Sequence, residues 1–512
     1  PIVTTALDFG TSTTLVATAD GVVPIGTIDA ALPSIIGYDD DGTLVIGEQA
    51  EALSPTQAVR SVKRSITERR DFVPVDLPAG VRDVRVDDLI GHLLHEAVRR
   101  AAARGVDLTA SGVRLGCPAM WDGRQRRRLL DAATRSGLPL TLESLVDEPV
   151  AAGIAWLAAH ARSVSGDPSG GAWEAEAPLR VVVFDMGGGT LDVAVLDVRG
   201  PHHREVSVLA ALGAPEAGDA LDEAIADDLD FALARYGVDT DSLPRPDRAR
   251  ELLLDAARRV KIRLSTEEET PVPLHRDTFG RVELWYTRDQ LNAVFSRQMD
   301  RAEQYVAAAL RVARLTELVG RSAHEIARLP LATVVADVDL VLLSGGMSQI
   351  PYVAERLRRI FPETTRIEFA AARPHHAVAI GLAHTEGYGR VNMYRPAFDV
   401  ALEWDNGRGF RTIYEAFTPL VEAVQVARGS ADLRYVRTGP ELGLPRQGTG
   451  ILRVKSYSDT RVRATVSGAK LDGYTVTLSD SFEFSIYPNG RIKIVDGAGT
   501  HEGQIEDWHT IG

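Results

Sequence analysis

Through roughly the first 390 residues, short apolar runs (Thr14 to Ala19, Val113 to Cys117, Val181 to Asp185, Leu340 to Leu343) alternate with longer stretches whose apolar residues recur every three or four positions. The runs read as strands and the stretches as amphipathic helices, because a strand turns successive side chains to opposite faces while a helix returns one face every turn. The helices predicted are Leu89 to Ala103, Arg124 to Ser136, Glu148 to His160, Leu221 to Tyr236, Arg248 to Leu264, Arg288 to Leu315 and Ile350 to Phe361. Strands and helices in alternation predict an α/β region. Ser163 to Pro178, rich in Gly, Ser, Pro and Glu, reads as a mobile surface loop within it.

After Gly389 the texture changes. From Phe398 to about Val495, short alternating runs such as Gly450-Ile-Leu-Arg-Val-Lys-Ser-Tyr and Phe482-Glu-Phe-Ser-Ile-Tyr are separated by Asn-Gly, Ser-Asp and Leu-Asp-Gly turns. They predict a small all-β domain built from hairpins, with a type I′ turn at Asn489-Gly490.

A length of 512 residues exceeds one ordinary core and suggests three or four compact units. With 45% hydrophobic and 25% charged residues the chain has the composition of a soluble globular protein. Its net charge of −14 is spread along the sequence, which argues against nucleic-acid binding as the main role. The basic stretch Arg124 to Arg128 reads as a solvated helix face. The single cysteine, Cys117, excludes an intrachain disulfide framework, and its place at the end of an apolar strand before Pro118 predicts a buried structural thiol. No run approaches the ~18 apolar residues of a membrane helix, and Pro1-Ile-Val-Thr leads directly into the first strand, so a cytoplasmic protein without membrane contact is expected.

The chemistry concentrates in two segments. Leu7-Asp-Phe-Gly-Thr-Ser-Thr-Thr14 and Phe184-Asp-Met-Gly-Gly-Gly-Thr-Leu-Asp192 are both apolar strands that break at an Asp into a Gly/Thr turn, with Asp8 matching Asp185, Gly10 matching Gly187 and Thr13 matching Thr190. A triphosphate needs converging donors and little side-chain bulk. Gly10, Thr11, Ser12 and Thr13 supply these from one half, and Gly187, Gly188, Gly189 and Thr190 from the other. Asp8 and Asp185 suit a magnesium ion bound through water, or a nucleophilic water. The duplication implies a nucleotide held between two related halves.

This arrangement resembles the actin-like ATPase superfamily and, within it, the DnaK-type 70-kilodalton heat-shock chaperones. Further landmarks carry the resemblance: Pro55-Thr-Gln…Val62-Lys63-Arg64, Cys117-Pro-Ala…Gln125-Arg126, Asp147-Glu-Pro-Val-Ala-Ala-Gly-Ile-Ala, Asp339-Leu-Val-Leu-Leu-Ser-Gly-Gly-Met-Ser-Gln-Ile-Pro and Pro374-x-x-Ala-Val-Ala-x-Gly381. It implies an actin-like nucleotide-binding domain over 1–388 (lobe I about 1–184, lobe II about 185–388), a linker at 389–397, a β-sandwich for substrate or partner over 398–500 and a tail at 501–512. It also implies roles. Lys63 would meet the γ-phosphate, Glu148 and Asp185 would orient or activate water, and Thr190 would bond the γ-phosphate. Gly218, Asp219, Lys261, Ser265, Gly345, Gly346 and Gln349 would line the nucleotide site with Mg and ATP or ADP. Pro118 and Arg126 resemble residues that couple nucleotide state to the second domain. The partners implied are an extended peptide or unfolded client, and a co-chaperone or nucleotide-exchange protein.

The sequence departs from the family at the adenosine pocket. Where the family reads Glu-x-x-Lys-Arg-x-x-Ser, this chain has Arg258-Arg-Val-Lys261-Ile262-Arg-Leu-Ser265, and Gly345-Gly346-Met347-Ser348-Gln349 lacks a second stacking arginine. His375 stands where the family has an acid. Arg258 reads either as part of the pocket or as a solvated arginine facing away. The linker has only Pro396-Ala-Phe-Asp-Val-Ala-Leu-Glu in place of a Leu-rich acidic segment. Two functions follow: an ATP-driven chaperone switch, or a nucleotide-binding scaffold with little turnover and one dedicated partner.

Overall fold

Both Asp-x-Gly segments end a central strand of their own mixed sheet, and the two sheets share one plan. The structure is a computed structural model describing residues 4–508 except 55, 78, 111, 165–177, 200–203, 318–322, 429, 431, 458–462 and 507. In the first sheet the order is Leu145–Asp147, Val113–Cys117, Thr5–Phe9, Thr13–Thr18 and Gly21–Val23. In the second it is Arg366–Phe369, Leu340–Ser344, Leu179–Met186, Leu191–Arg199 and Glu205–Ala214. In each, the Asp-bearing strand pairs antiparallel with the strand after the turn, and parallel with one returned by a long crossover. The correspondence reaches single hydrogen bonds. The Gly10 N–H donates to the Thr13 carbonyl at 3.0 Å and the Gly187 N–H to the Thr190 carbonyl at 3.0 Å.

The sheets carry helices for the reason the sequence pattern implies: Leu179–Met186 is buried along its whole length, so both faces need cover. Helix Glu148–Val164 leaves the first sheet and packs on the second, while Ala377–His384 leaves the second and packs on the first. The two helices meet between the lobes so closely that a Cβ on Gly381 would lie 1.7 Å from the Ala151 carbonyl oxygen. Glycine and alanines are required at that crossing, and it sets Glu148, the first residue of its helix, at the cleft. Helix Gly123–Thr134 starts where the Asp122 side chain accepts from the Arg124 and Gln125 backbone N–H groups at 3.0 Å each.

The C-terminal region is a sandwich of two antiparallel sheets. One runs Gly409–Tyr414, Phe398–Trp404, Thr449–Ser456, Thr475–Thr477; the other runs Tyr435–Thr438, Glu483–Ile486, Arg491–Asp496, Gly499–Ile505, Ala464–Val466, Ala469–Lys470. Alternate residues Phe398, Val400, Leu402, Phe484, Ile486, Ile492 and Ile494 fill the interior. The α/β actin-like architecture followed by an all-β sandwich is thus the observed fold.

The structure differs from the sequence reading at several joints. Gly389–Asn392, expected as linker, is a sixth strand of the second sheet, parallel to Glu205–Ala214. The division expected near 184 falls inside strand Leu179–Met186, and residues 501–505, expected as tail, complete strand Gly499–Ile505. At Asn489-Gly490 only Gly490 has positive φ (79°), and its N–H donates to the Tyr487 carbonyl. This is a type I turn closed by a bulge glycine rather than type I′, since Pro488 fixes the first turn position at negative φ. The loop at Ser163 to Pro178 lies almost wholly outside the described residues, as does Pro55.

Candidate functional site

A cavity of about 740 Å³ separates the lobes, and both glycine turns form its floor. The turns press on each other across the cleft: a Cβ on Gly188 would lie 2.4 Å from Ser12 Oγ, and one on Gly189 would lie 2.9 Å from Thr11 Oγ1. Side chains at these glycines would hold the lobes apart, so backbone N–H groups and the hydroxyls of Thr11, Ser12, Thr13 and Thr190 are what the cavity offers to an anion.

Above the floor, buried Lys63 and Glu148 form an ion pair. Lys63 Nζ also lies 5.8 Å from the centres of the Phe9 and Trp121 rings, which hold the ammonium in place. Burial alone would discharge Lys63, but the charges of Glu148 and Asp8 overcome it and raise its pKa. The acids respond oppositely. Burial, then the charge of Glu148, pushes Asp8 and Asp185 up to about 7 each. The same causes, joined by Asp185, push Asp192 up to about 8. Asp192 faces Asp185 across the hairpin, and its Oδ1 is buried without a hydrogen-bond partner. Sequence reasoning quoted Asp192 without giving it a role; the strand register was the missing signal.

A buried set of hard carboxylate oxygens, crowded enough to hold protons near neutrality and with one oxygen unpartnered, fits a magnesium ion. Among the described residues no three acid, His or Cys side chains converge for direct chelation.

These shifts fix a sign. Between about pH 4, where the unfolded carboxyls ionise, and pH 7–8, the folded state holds more protons, so stability falls as pH rises through that window. The metal-free protein is expected to melt at a lower temperature at about pH 8 than at about pH 5.5, and Mg²⁺ is expected to recover part of the difference. Thermal unfolding at the two pH values checks this; a higher melting temperature at pH 8 without metal would contradict it.

On another wall of the cavity, Lys261 donates to the Gly218 carbonyl at 3.0 Å and pairs with Asp222 at 2.7 Å, while the Ser265 hydroxyl donates back to the Lys261 carbonyl at 3.3 Å. Asp219 joins the lobes, accepting from Ser61 Oγ at 3.0 Å. Gly345, Gly346 and Gln349 line the opposite wall with His375. Gly345 has φ 81°, and a Cβ there would meet the Met186 carbonyl oxygen at 2.3 Å. Arg258 lines the cavity rather than facing away, and Ile262 lies 63% exposed on the same wall.

The reading of Arg124 to Arg128 as a solvated face fails at its centre. Arg126 is 1% exposed, pairs with Asp147 at 2.5 Å and donates to Cys117 Sγ at 3.1 Å. Cys117 is buried as expected, and burial pushes its thiol up to about 12. The Arg126 guanidinium also lies 4.6 Å from the Phe417 ring of the β region, and Arg127 pairs with Glu415 beside it. Asn392 of the added strand donates to Asp147 at 3.3 Å. Pro118 is buried at the start of this unit, its carbonyl accepting from the Trp121 N–H at 3.1 Å. Sequence reasoning missed Asp147, Asn392 and Phe417 as one constellation, since 270 residues separate its ends.

A family model described as Hsp70 protein matches residues 4–388. Relatives include a protein named Chaperone protein DnaK from Nitrosopumilus maritimus, 26% identical over 391 residues, which cover 75% of this chain and 54% of that one. Another of the same name, from Thermotoga petrophila, is 25% identical over 74% of this chain and 60% of its own. Heat shock 70 kDa protein 6, chloroplastic, from Arabidopsis thaliana is 25% identical over 74% of this chain and 51% of its own. The chain spans about half the length of the curated relatives it matches.

Proposed function

The chain belongs to the Hsp70 family, and on that premise we propose that it binds and hydrolyses Mg-ATP between the lobes and uses nucleotide state to alter the grip of its β-sandwich on an extended peptide or unfolded protein. The observation that carries this reading is the buried Lys63–Glu148 pair suspended over two duplicated phosphate turns.

Asp8 and Asp185, with Asp192 behind them, would hold the magnesium through water. When bound, it supplies positive charge to the phosphate oxygens. The turns Gly10–Thr13 and Gly187–Thr190 cradle the phosphates with N–H and hydroxyl donors. Lys63 meets the γ-phosphate and stabilises its developing charge, because phosphoryl transfer asks the protein mainly for positioning and electrostatics. Glu148 and Asp185 orient the attacking water. Lys261, Ser265, Gly345, Gly346 and Gln349 enclose the nucleoside. Clients are held at the sandwich by sheet-edge hydrogen bonds and side-chain pockets, with a co-chaperone or exchange factor as further partner.

Isothermal titration with Mg-ATP and Mg-GTP tests the reading. Both are expected to bind, with less than about tenfold preference, because Ile262 gives the base an apolar wall without a guanidinium plane. Ile262→Arg is expected to tighten Mg-ATP by about tenfold, a cation–π contact of ~1–2 kcal/mol. Absence of binding by either nucleotide would overturn the assignment, and binding without turnover would leave the scaffold reading.

A further inference from the structure

Past Lys261, the nucleotide cleft opens into a second chamber of about 560 Å³, which shares Glu51, Arg60, Ser61, Asp219, Asp222 and Arg258 with it. Arg60 ends strand Ala58–Arg60 on the first lobe, and Arg258 sits on helix Pro246–Arg263 of the second. The other arginines nearby are matched: Arg64 by Glu68 at 2.7 Å and Arg259 by Asp255 at 2.8 Å. Arg60 is not. Its half-buried guanidinium makes no hydrogen bond or ion pair among the described residues, although the charges of Asp255 and Glu51 act on it. Arg258 reaches Asp222 only at 3.4 Å, and Lys261 holds that carboxylate more closely at 2.7 Å. Burial, and then the like charge of Arg258, hold Arg60 below its ordinary pKa.

Two guanidiniums brought from opposite lobes to one chamber repel; Asp222, Asp255 and Glu51 offset part of that repulsion, and the planar donor fork of Arg matches a phosphate placed between them. The chamber adjoins the triphosphate turns without containing them. On the helix, Arg258 lies one turn before Lys261, whose ammonium reaches Gly218 at the edge of the phosphate floor. A sugar joining those phosphates to a base against Ile262 passes beside this pair. We infer that the cleft accepts a nucleotide bearing an additional phosphate on a ribose hydroxyl, clamped between Arg60 and Arg258. This inference rests on the nucleotide reading above and names the substrate class of that site.

Titration of the full chain with Mg-ADP, Mg-GDP, their 2′- and 3′-phosphorylated counterparts, and Mg-ADP with added inorganic phosphate tests it. A ribose-phosphorylated nucleotide is expected to bind at least about tenfold tighter than its parent, from two charge-assisted contacts. Arg60→Ala combined with Arg258→Ala is expected to erase the difference, with melting temperature reporting the fold. The wild-type comparison decides the inference even where the double variant fails to fold. Equal affinities for parent and phosphorylated nucleotides would overturn it while leaving the nucleotide site standing. Equal tightening by free phosphate would assign the chamber to a separate anion and overturn the ribose attachment. No binding by any nucleotide would overturn both readings.

Discussion

Lys63→Ala is expected to lower ATP turnover by a factor of about 10²–10³, the loss typical of removing one preorganised donor from developing negative charge. The ammonium sits in a closed place: it is buried, paired with Glu148 and flanked by the rings of Phe9 and Trp121, so water would replace it poorly. Its removal also leaves Glu148 beside Asp8, Asp185 and Asp192 with no cation among them, and breaking a buried pair costs about 3–5 kcal/mol. The ligand-free variant is therefore expected to melt earlier and to regain stability when Mg²⁺ is added. Single-turnover hydrolysis of bound ATP measures the chemical step apart from affinity. Equal rates above background would remove Lys63 from the chemical step, and equal, near-background rates would end the ATPase assignment and favour the scaffold reading.

Phe417→Ala is expected to reduce ATP-stimulated release of a fluorescent extended peptide by at least about fivefold, within the range of ordinary coupling energies. Phe417 has φ 66°, a left-handed conformation that costs a bulky residue about 1–2 kcal/mol and persists only when its surroundings enforce it. Those surroundings are the interface itself. Its N–H donates to the Pro396 carbonyl at 3.0 Å, its carbonyl accepts from Arg395 at 3.0 Å, and its ring covers Arg126. Arg126 holds Asp147, Asp147 also receives Asn392, and the next residue is Glu148. On the proposed coupling, a change at bound phosphates that moved Glu148 would pull on both the added strand and the β-sandwich. Arg126→Lys, which keeps the charge but loses the fork shared by Asp147 and Cys117, is expected to weaken release in the same direction. Hydrolysis without added peptide should persist in Phe417→Ala, because neither Phe417 nor the Arg126 it covers lines the cavity between the lobes. Unaltered ATP-stimulated release in both variants would remove this contact from the coupling path.

Much of the fold was legible because its signals are local. Apolar periodicity located every long helix named from the sequence to within a few residues, as with Leu221 to Tyr236 against the observed Gly218–Ala234. The duplicated turns were legible because an Asp, a Gly and a Thr at fixed spacing dictate one backbone shape wherever they occur. The strand at Gly389–Asn392 was not, since an edge pairing with Glu205–Ala214 leaves no mark on four short residues. The turn at Asn489-Gly490 was misread because Pro488, one residue earlier, set the backbone first.

By itself the sequence determined the repeated strand–turn units, the change from α/β to all-β texture, and the residues proposed for a phosphate site. Tertiary structure alone decided the state of those residues. Lys63, Glu148 and Asp192 are ordinary charges along the chain. They become a charged pair and a proton-holding acid only when folding removes water and brings them within a few ångströms. Arg126 and Arg60 make the same point, since nothing adjacent in sequence distinguishes the buried arginine clasped by Asp147 from the half-buried one that makes no ion pair among the described residues. Charge interactions depend on separation and on the surrounding dielectric, and both are properties of the folded chain.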